Sequence, residues 1–210
     1  MNVTLTWHLV AAVIVAFFSQ AQRFQPVATG QILEALHVKQ GSTVCEIGAG
    51  EGELTLSIAA VVGPNGQVYA SELGVARLDA LRKRVATNQT VVVVESAETS
   101  TNFRDESCDA IVLKDVYHHL SDPASIDKSI LRALKTHGRV VVVDFTPPGN
   151  EAPTPAQRGI DGMHGVLPAT VERELTAAGF ERTSTDAPPD RRWFVVIMSK
   201  PGTGPVTAGG

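Results

Sequence analysis

The chain has 210 residues, 43% of them hydrophobic and 19% charged, with a net charge of −4. That is enough apolar material for one core, so a single globular domain is expected. The acidic balance excludes a basic field that could collect phosphates, which argues against a nucleic-acid binder and for a small-molecule substrate.

The first 25 residues stand apart. A continuous apolar run over residues 9–18 is followed by Ser19-Gln20-Ala21, a small-x-small pattern of the kind a signal peptidase cuts. Residues 1–21 read as a signal peptide or N-terminal anchor, which places the protein outside the inner membrane, in the periplasm or attached to the membrane by this segment. The run is short for a membrane span, and its only positive candidates are His8 and the α-amino group. A buried N-terminal helix in a cytoplasmic protein is the alternative.

Residues 30–38 carry apolar side chains at helical spacing, and Lys39-Gln40-Gly41-Ser42 turns the chain into a first strand over 43–47. A helix over 53–62 is closed by Gly63-Pro64-Asn65-Gly66, and a second strand follows over 67–71. Residues 75–87 predict a helix, and 90–95 a third strand whose four valines suit a central parallel position with both faces buried. Strand four is expected over 108–113. Asp122 caps a helix over 123–134, His137-Gly138 ends it, and strand five spans 139–145. The Pro- and Gly-rich stretch 147–166 has no period and reads as a mobile loop over the site. A last helix over 168–178 stops at Gly179, and strands over 180–185 and 193–198 follow, with a disordered tail over 200–210. Cys45 and Cys108 lie inside apolar runs, as buried free thiols do, so neither a disulfide nor a metal site is expected.

Five strand and helix alternations ending in a strand pair predict an α/β fold: a Rossmann-like, doubly wound, mostly parallel sheet with helices on both faces, built from residues 28–199. Ligands of such sheets bind beyond the carboxyl ends of the strands. The first strand there runs into Gly48-Ala49-Gly50-Glu51-Gly52, where glycines let the backbone approach a ligand closely. Glu46, Glu51 and Glu53 surround them, a field that repels a pyrophosphate and favours a cation.

These residues resemble motif I of the class I S-adenosylmethionine-dependent methyltransferases, the small-molecule type, whose ligand carries a sulfonium and an ammonium. The resemblance covers about residues 28–199 and implies a seven-stranded sheet with an antiparallel seventh strand beside the fifth. It implies cofactor contacts from Glu46, Gly48, Ala49, Gly50 and Gly52. It also implies that Glu72 and Leu73 end the second strand at the cofactor, with the Glu72 carboxylate accepting from both ribose hydroxyls. Ser96 stands where the family carries an acid, so the adenine contact falls to Glu98, to the Ser96 hydroxyl or to the backbone at Ala97.

Asp115-Val116-Tyr117-His118-His119-Leu120 is similar to the Asp/Asn-x-x-His-His segment of small-molecule C- and O-methyltransferases, including those of ubiquinone and menaquinone biosynthesis. Asp115 would attract the cofactor ammonium or orient substrate, His118 or Tyr117 would face the substrate, and His119 would hydrogen-bond the loop. Asp144 and His164 are further candidates for touching substrate.

The implied reaction is a direct displacement at the sulfonium methyl of S-adenosylmethionine by a small-molecule acceptor, in which positioning does most of the work. No G-x-S-x-G, P-loop lysine or metal-spaced histidine pair is present. A nicotinamide-dependent oxidoreductase and a catalytically silent binding module on the same sheet are the competing readings, and the protein would act as a monomer or homodimer.

Overall fold

In a computed structural model the structure describes residues 26–202; the signal or anchor segment over 1–21 and most of the expected tail lie outside the described residues. Seven strands form one sheet: β1 (Thr43–Ile47), β2 (Gln67–Glu72), β3 (Val91–Glu95), β4 (Cys108–Lys114), β5 (Leu134–Phe145), β6 (Glu181–Asp186) and β7 (Trp193–Ser199). Their order is β3-β2-β1-β4-β5-β7-β6. Strands β1 to β5 are mutually parallel, while β7 runs antiparallel to both β5 and β6. The helices are α1 (Thr29–Leu36), α2 (Glu53–Val62), α3 (Val75–Val85), α4 (Pro123–Ala133) and α5 (Pro168–Ala178).

The valines of β5 are explained by burial on two sides, whereas the four valines of β3, expected in a central position with both faces buried, lie in an edge strand where Val92 is 41% exposed. Val140 and Val142 join Ile111 and Leu113 against Ile126 and Ile130 of α4 and Val171 and Leu175 of α5. Val141 and Val143 join Val112 and Val44 on the opposite face, against Ile32 and Leu36 of α1 and Ile58 and Val62 of α2. Alternate residues therefore feed two cores, and the sheet becomes the rigid plate from which the loops project. Local signals agree with this arrangement. Asp122 caps α4 by accepting from the Ser125 N–H at 3.1 Å, and Pro123 opens the helix.

Four further expectations are corrected. Cys45 and Cys108 are joined by a disulfide, with Cα atoms 6.0 Å apart. Strict alternation from Ala110 and Val112 would turn Cys108 to the other side of β4, but the register shifts between Cys108 and Ala110. That irregularity brings Cys108 onto the face of Cys45, Ile47 and Ile111. Strand β5 begins at Leu134 rather than at 139, because the chain turns extended directly after α4. Gly138 lies inside it, where a Cβ would stand 2.8 Å from the Lys135 carbonyl oxygen and 3.1 Å from that of Asp109. Lys200 belongs to the folded part and not to a tail: its N–H donates to the Gly138 carbonyl at 2.8 Å and its Nζ to that of Leu134 at 2.7 Å.

The stretch 147–166, expected to be mobile, is pinned at several points. Arg158 is buried and its guanidinium donates twice to Glu174 of α5, at 3.1 and 2.5 Å. Glu151 accepts from the Leu167 N–H at 3.0 Å and from the Thr170 hydroxyl at 2.8 Å.

Candidate active site

The carboxyl ends of β1, β2 and β4 open into a cavity of about 1110 Å³. Gly48, with φ +68°, starts the turn that follows β1. A Cβ there would come 2.4 Å from Val116 Cγ2, so the first glycine is required both by its dihedral and by the approach of the β4 exit loop. Glu72, nearly fully buried at the end of β2, accepts from the Gly50 N–H at 2.7 Å and from the Leu73 N–H at 2.9 Å. Each carboxylate oxygen keeps a lone pair for a further donor, which is what a ribose diol supplies. Leu73 is 47% exposed and leaves an apolar surface at the cavity wall.

Glu46 is buried at the base of the turn. The Thr55 hydroxyl donates to it at 2.5 Å, and the Ser71 hydroxyl donates to its backbone carbonyl at 3.2 Å. Burial pushes its carboxyl up to about 7, against the lowering effects of the Thr55 hydrogen bond and of Lys114. Near neutral pH this side chain is only partly charged, so the negative field expected from the glycine turn depends on pH at its innermost carboxylate.

Glu46, Gly48, Ala49, Gly50, Glu72, Leu73, Ala97, Glu98 and Asp115, the residues the resemblance implies at the cofactor, all line the cavity. Ser96 lines it as well, so all three sources weighed for the adenine contact stand at its wall. Gly52 does not line it. This glycine, with φ +79°, starts α2, and a Cβ there would meet Leu81 Cδ1 of α3 at 3.0 Å, so helix packing also requires a glycine here.

The β4 exit departs further from expectation. Asp115 takes φ +62°, unusual for a residue with a Cβ, and its N–H donates to the Val143 carbonyl at 2.8 Å. A 3-10 turn over Tyr117–His119 follows. Tyr117 is fully buried and its hydroxyl donates to Asp127 of α4 at 2.8 Å, so it does not face the cavity. His118 is also buried: its Nδ1 lies 2.8 Å from Asp144 Oδ1 and its backbone N–H donates to Asp144 Oδ2 at 3.1 Å. The exposed His119 lines the cavity instead, reversing the roles expected for the histidine pair. The His119 imidazole is lowered from its ordinary pKa, first by burial and then by its neighbours His118 and His164, which keeps a lone pair available near neutral pH.

His164, from the loop over 147–166, brings its Nε2 to 2.8 Å from His118 Nε2. The sequence offers Asp144 and His164 separately as candidates for touching substrate. The structure brings them together through His118, at the end of β5, with the Phe145 ring 4.8 Å from that of His118 and 5.2 Å from that of His164. Nothing local in the sequence pairs residues 46 positions apart; only the return of the loop over the sheet does so.

Comparison with known proteins identifies this scaffold. Residues 45–142 match the family described as a methyltransferase domain. The ubiquinone/menaquinone biosynthesis C-methyltransferase UbiE of Ectopseudomonas mendocina is 32% identical over 123 residues, which is 56% of this chain and 47% of the relative. The chain thus spans about half the length of the curated relatives it matches. A solved methyltransferase of Aquifex aeolicus, described as S-adenosylmethionine-dependent, shares the fold with a TM-score of 0.71 at 20% identity, covering 90% of this chain and 97% of that one. Phosphoethanolamine N-methyltransferase 2 of Haemonchus contortus, solved with S-adenosylmethionine, shares it with a TM-score of 0.68 at 16% identity over 82% of this chain and 52% of that one. The chain therefore shares the Rossmann-like fold of these solved methyltransferases, and residues 45–142 match the methyltransferase-domain family.

Proposed function

We propose that the protein moves the sulfonium methyl of S-adenosylmethionine to a small-molecule acceptor by direct displacement. The observation that carries this reading is a single cavity with two differently built ends. At one end lie the glycine turn and Glu72; at the other stand Asp115, His119 and Leu120. Its volume of about 1110 Å³ lies above the range usual for small-molecule pockets, roughly 300–1,000 Å³, which gives room for a cofactor and an acceptor side by side.

The residues present fit the cofactor. The Glu72 carboxylate retains acceptor capacity for the ribose hydroxyls, and Leu73 offers an apolar surface beside it. Glu46, Glu51 and Glu53 give the turn a field that favours a cation. When bound, S-adenosylmethionine supplies an already activated methyl group. The protein then has to hold the acceptor in line and keep water out, and base assistance is secondary. Electron-rich ring carbons, the kind of acceptor that a C-methyltransferase relative suggests, are the first class to test.

Export is part of the same reading. Disulfides persist in oxidising compartments, so the Cys45 to Cys108 bridge supports taking the N-terminal apolar run as a signal or membrane anchor. Fractionation of cells carrying the full chain, with detection in periplasmic and membrane fractions, checks this part separately.

The activity is tested by calorimetric titration with S-adenosylhomocysteine, followed by transfer of labelled methyl from S-adenosylmethionine to a panel of phenols, quinols, thiols and amines. Binding and transfer are expected. Absence of both heat and thermal stabilisation with S-adenosylhomocysteine would overturn the reading, and binding without transfer to any acceptor would mark a silent binding module.

A further inference from the structure

We propose that His118, His119 and His164 hold a divalent transition-metal ion of the zinc type, with Asp144 fixing the ring of His118 from behind. The sequence alone gave no reason to expect a metal, because the third imidazole arrives from a distant loop. In the folded chain the ligating atoms of the three rings all lie within 4.8 Å of one another. The ring centroids of His118 and His119 are 3.9 Å apart, those of His118 and His164 4.6 Å, and those of His119 and His164 5.6 Å. A hydrogen bond between the His118 and His164 Nε2 atoms, 2.8 Å apart, accounts for two rings and leaves the third unexplained. A common cation accounts for all three.

The hydrogen bonding behind the cluster supports this. Asp144 is fully buried and accepts from His118 Nδ1, from the His118 N–H and from the Phe145 N–H at 2.8 Å. With its Nδ1–H committed there, His118 turns the lone pair of Nε2 toward His164. A carboxylate that orients a ligating histidine in this way is a recurrent support of metal sites. The Phe145 ring flanks His118 and His164 and keeps that side dry. Three imidazoles suit zinc, cobalt, nickel or copper rather than magnesium or calcium. Three protein ligands also leave a fourth position open, the pattern of zinc sites that act on a bound molecule. His119 is the ligand that borders the cavity, so the ion would stand between the pinned loop and the acceptor end.

The test uses the full chain without a histidine tag, stripped with a chelator and titrated with Co²⁺. One equivalent is expected to bind with the visible absorption bands of a low-coordinate ion, and Zn²⁺ is expected to displace it. His164→Ala and His119→Ala should each weaken Co²⁺ binding by at least about tenfold, while His37→Ala and His137→Ala, remote from the cluster, should leave it unchanged. Near-UV circular dichroism and S-adenosylhomocysteine titration of the same variants show that the fold and the cofactor end are intact. Absence of stoichiometric Co²⁺ binding by the parent chain, or binding undiminished in His164→Ala, overturns the inference and leaves the two Nε2 atoms joined by a proton. Cofactor affinity is read independently, so a failed metal titration leaves the methyltransferase reading standing, and the reverse.

Discussion

The carboxylate of Glu72 accepts a hydrogen bond from the Gly50 N–H at 2.7 Å, across 22 residues of chain. The contact ties the end of β2 to the turn after β1 and sets the carboxylate at the cavity wall. Glu72→Ala removes the proposed acceptor for the ribose and loosens the turn. Hydrogen bonds to charged groups contribute about 1.5–3 kcal/mol, so the Kd for S-adenosylhomocysteine should rise about 10- to 100-fold in a calorimetric titration. An unchanged Kd would show that the ligand does not use this side chain.

Gly48→Ala should destabilise the protein and weaken cofactor binding together. The new methyl would stand at φ +68° and 2.4 Å from Val116 Cγ2. The backbone conformation alone costs about 1–2 kcal/mol, and the overlap adds to it. Val116→Ala opens that space, so in urea unfolding the double variant should recover the overlap part and not the dihedral part.

Stability should fall as pH rises from about 4.5 to about 7. The sign follows from Glu46, whose carboxyl lies at about 7 in the folded protein against an ordinary 4.5. The folded state therefore binds more protons than the unfolded chain between these values, and the advantage is complete below 4.5 and gone above 7. Asp127, also pushed up to about 7 by burial, acts in the same direction. One group displaced this far is worth about 3 kcal/mol over the window. Chemical denaturation at half-unit pH steps should show the decline, and Glu46→Gln should make it shallower. In the parent chain, S-adenosylmethionine should also release a proton on binding near pH 6.5, since its positive charge favours ionised Glu46; calorimetry in buffers of different ionisation enthalpy reads this.

Tyr117→Phe separates a structural tyrosine from a catalytic one. The hydroxyl lies on Asp127, whose Oδ1 has no hydrogen-bond partner among the described residues, so its loss leaves the buried carboxyl with none. Stability should drop by about 1–3 kcal/mol. Turnover measured below the new Tm should stay within about twofold of the parent; a large loss of kcat at full folding would return Tyr117 to the reacting groups.

Reducing the Cys45 to Cys108 bridge, which spans 63 residues, should lower stability by about 2–4 kcal/mol. Thermal unfolding with and without a thiol reductant measures the loss. Thiol titration of the denatured, unreduced protein should find no free cysteine, and two free thiols would remove the bridge.

What the sequence made legible was local. The strand, glycine turn and helix over β1 and α2 follow from period and composition, and so does Glu72 at the end of the next strand. The misplaced residues depend on geometry that spacing does not carry. A register shift in β4 turned Cys108 toward Cys45. A 3-10 turn rather than a helix or strand decided which of His118 and His119 meets the cavity. Gly52, alike in sequence to Gly48 and Gly50, packs against Leu81 and does not line the cavity. His164 lies in a stretch without period, so its partners became visible only with the loop folded back on the sheet.

The turn over Tyr117–His119 has a mechanical consequence. With three residues per revolution, successive side chains leave it about 120° apart, so one short coil points at α4 through Tyr117, at the end of β5 through His118, and into the cavity through His119. A molecule that presses on His119 cannot tilt that coil without disturbing a buried tyrosine and an aspartate-bound ring at the same moment. A single inserted residue would permute all three directions at once.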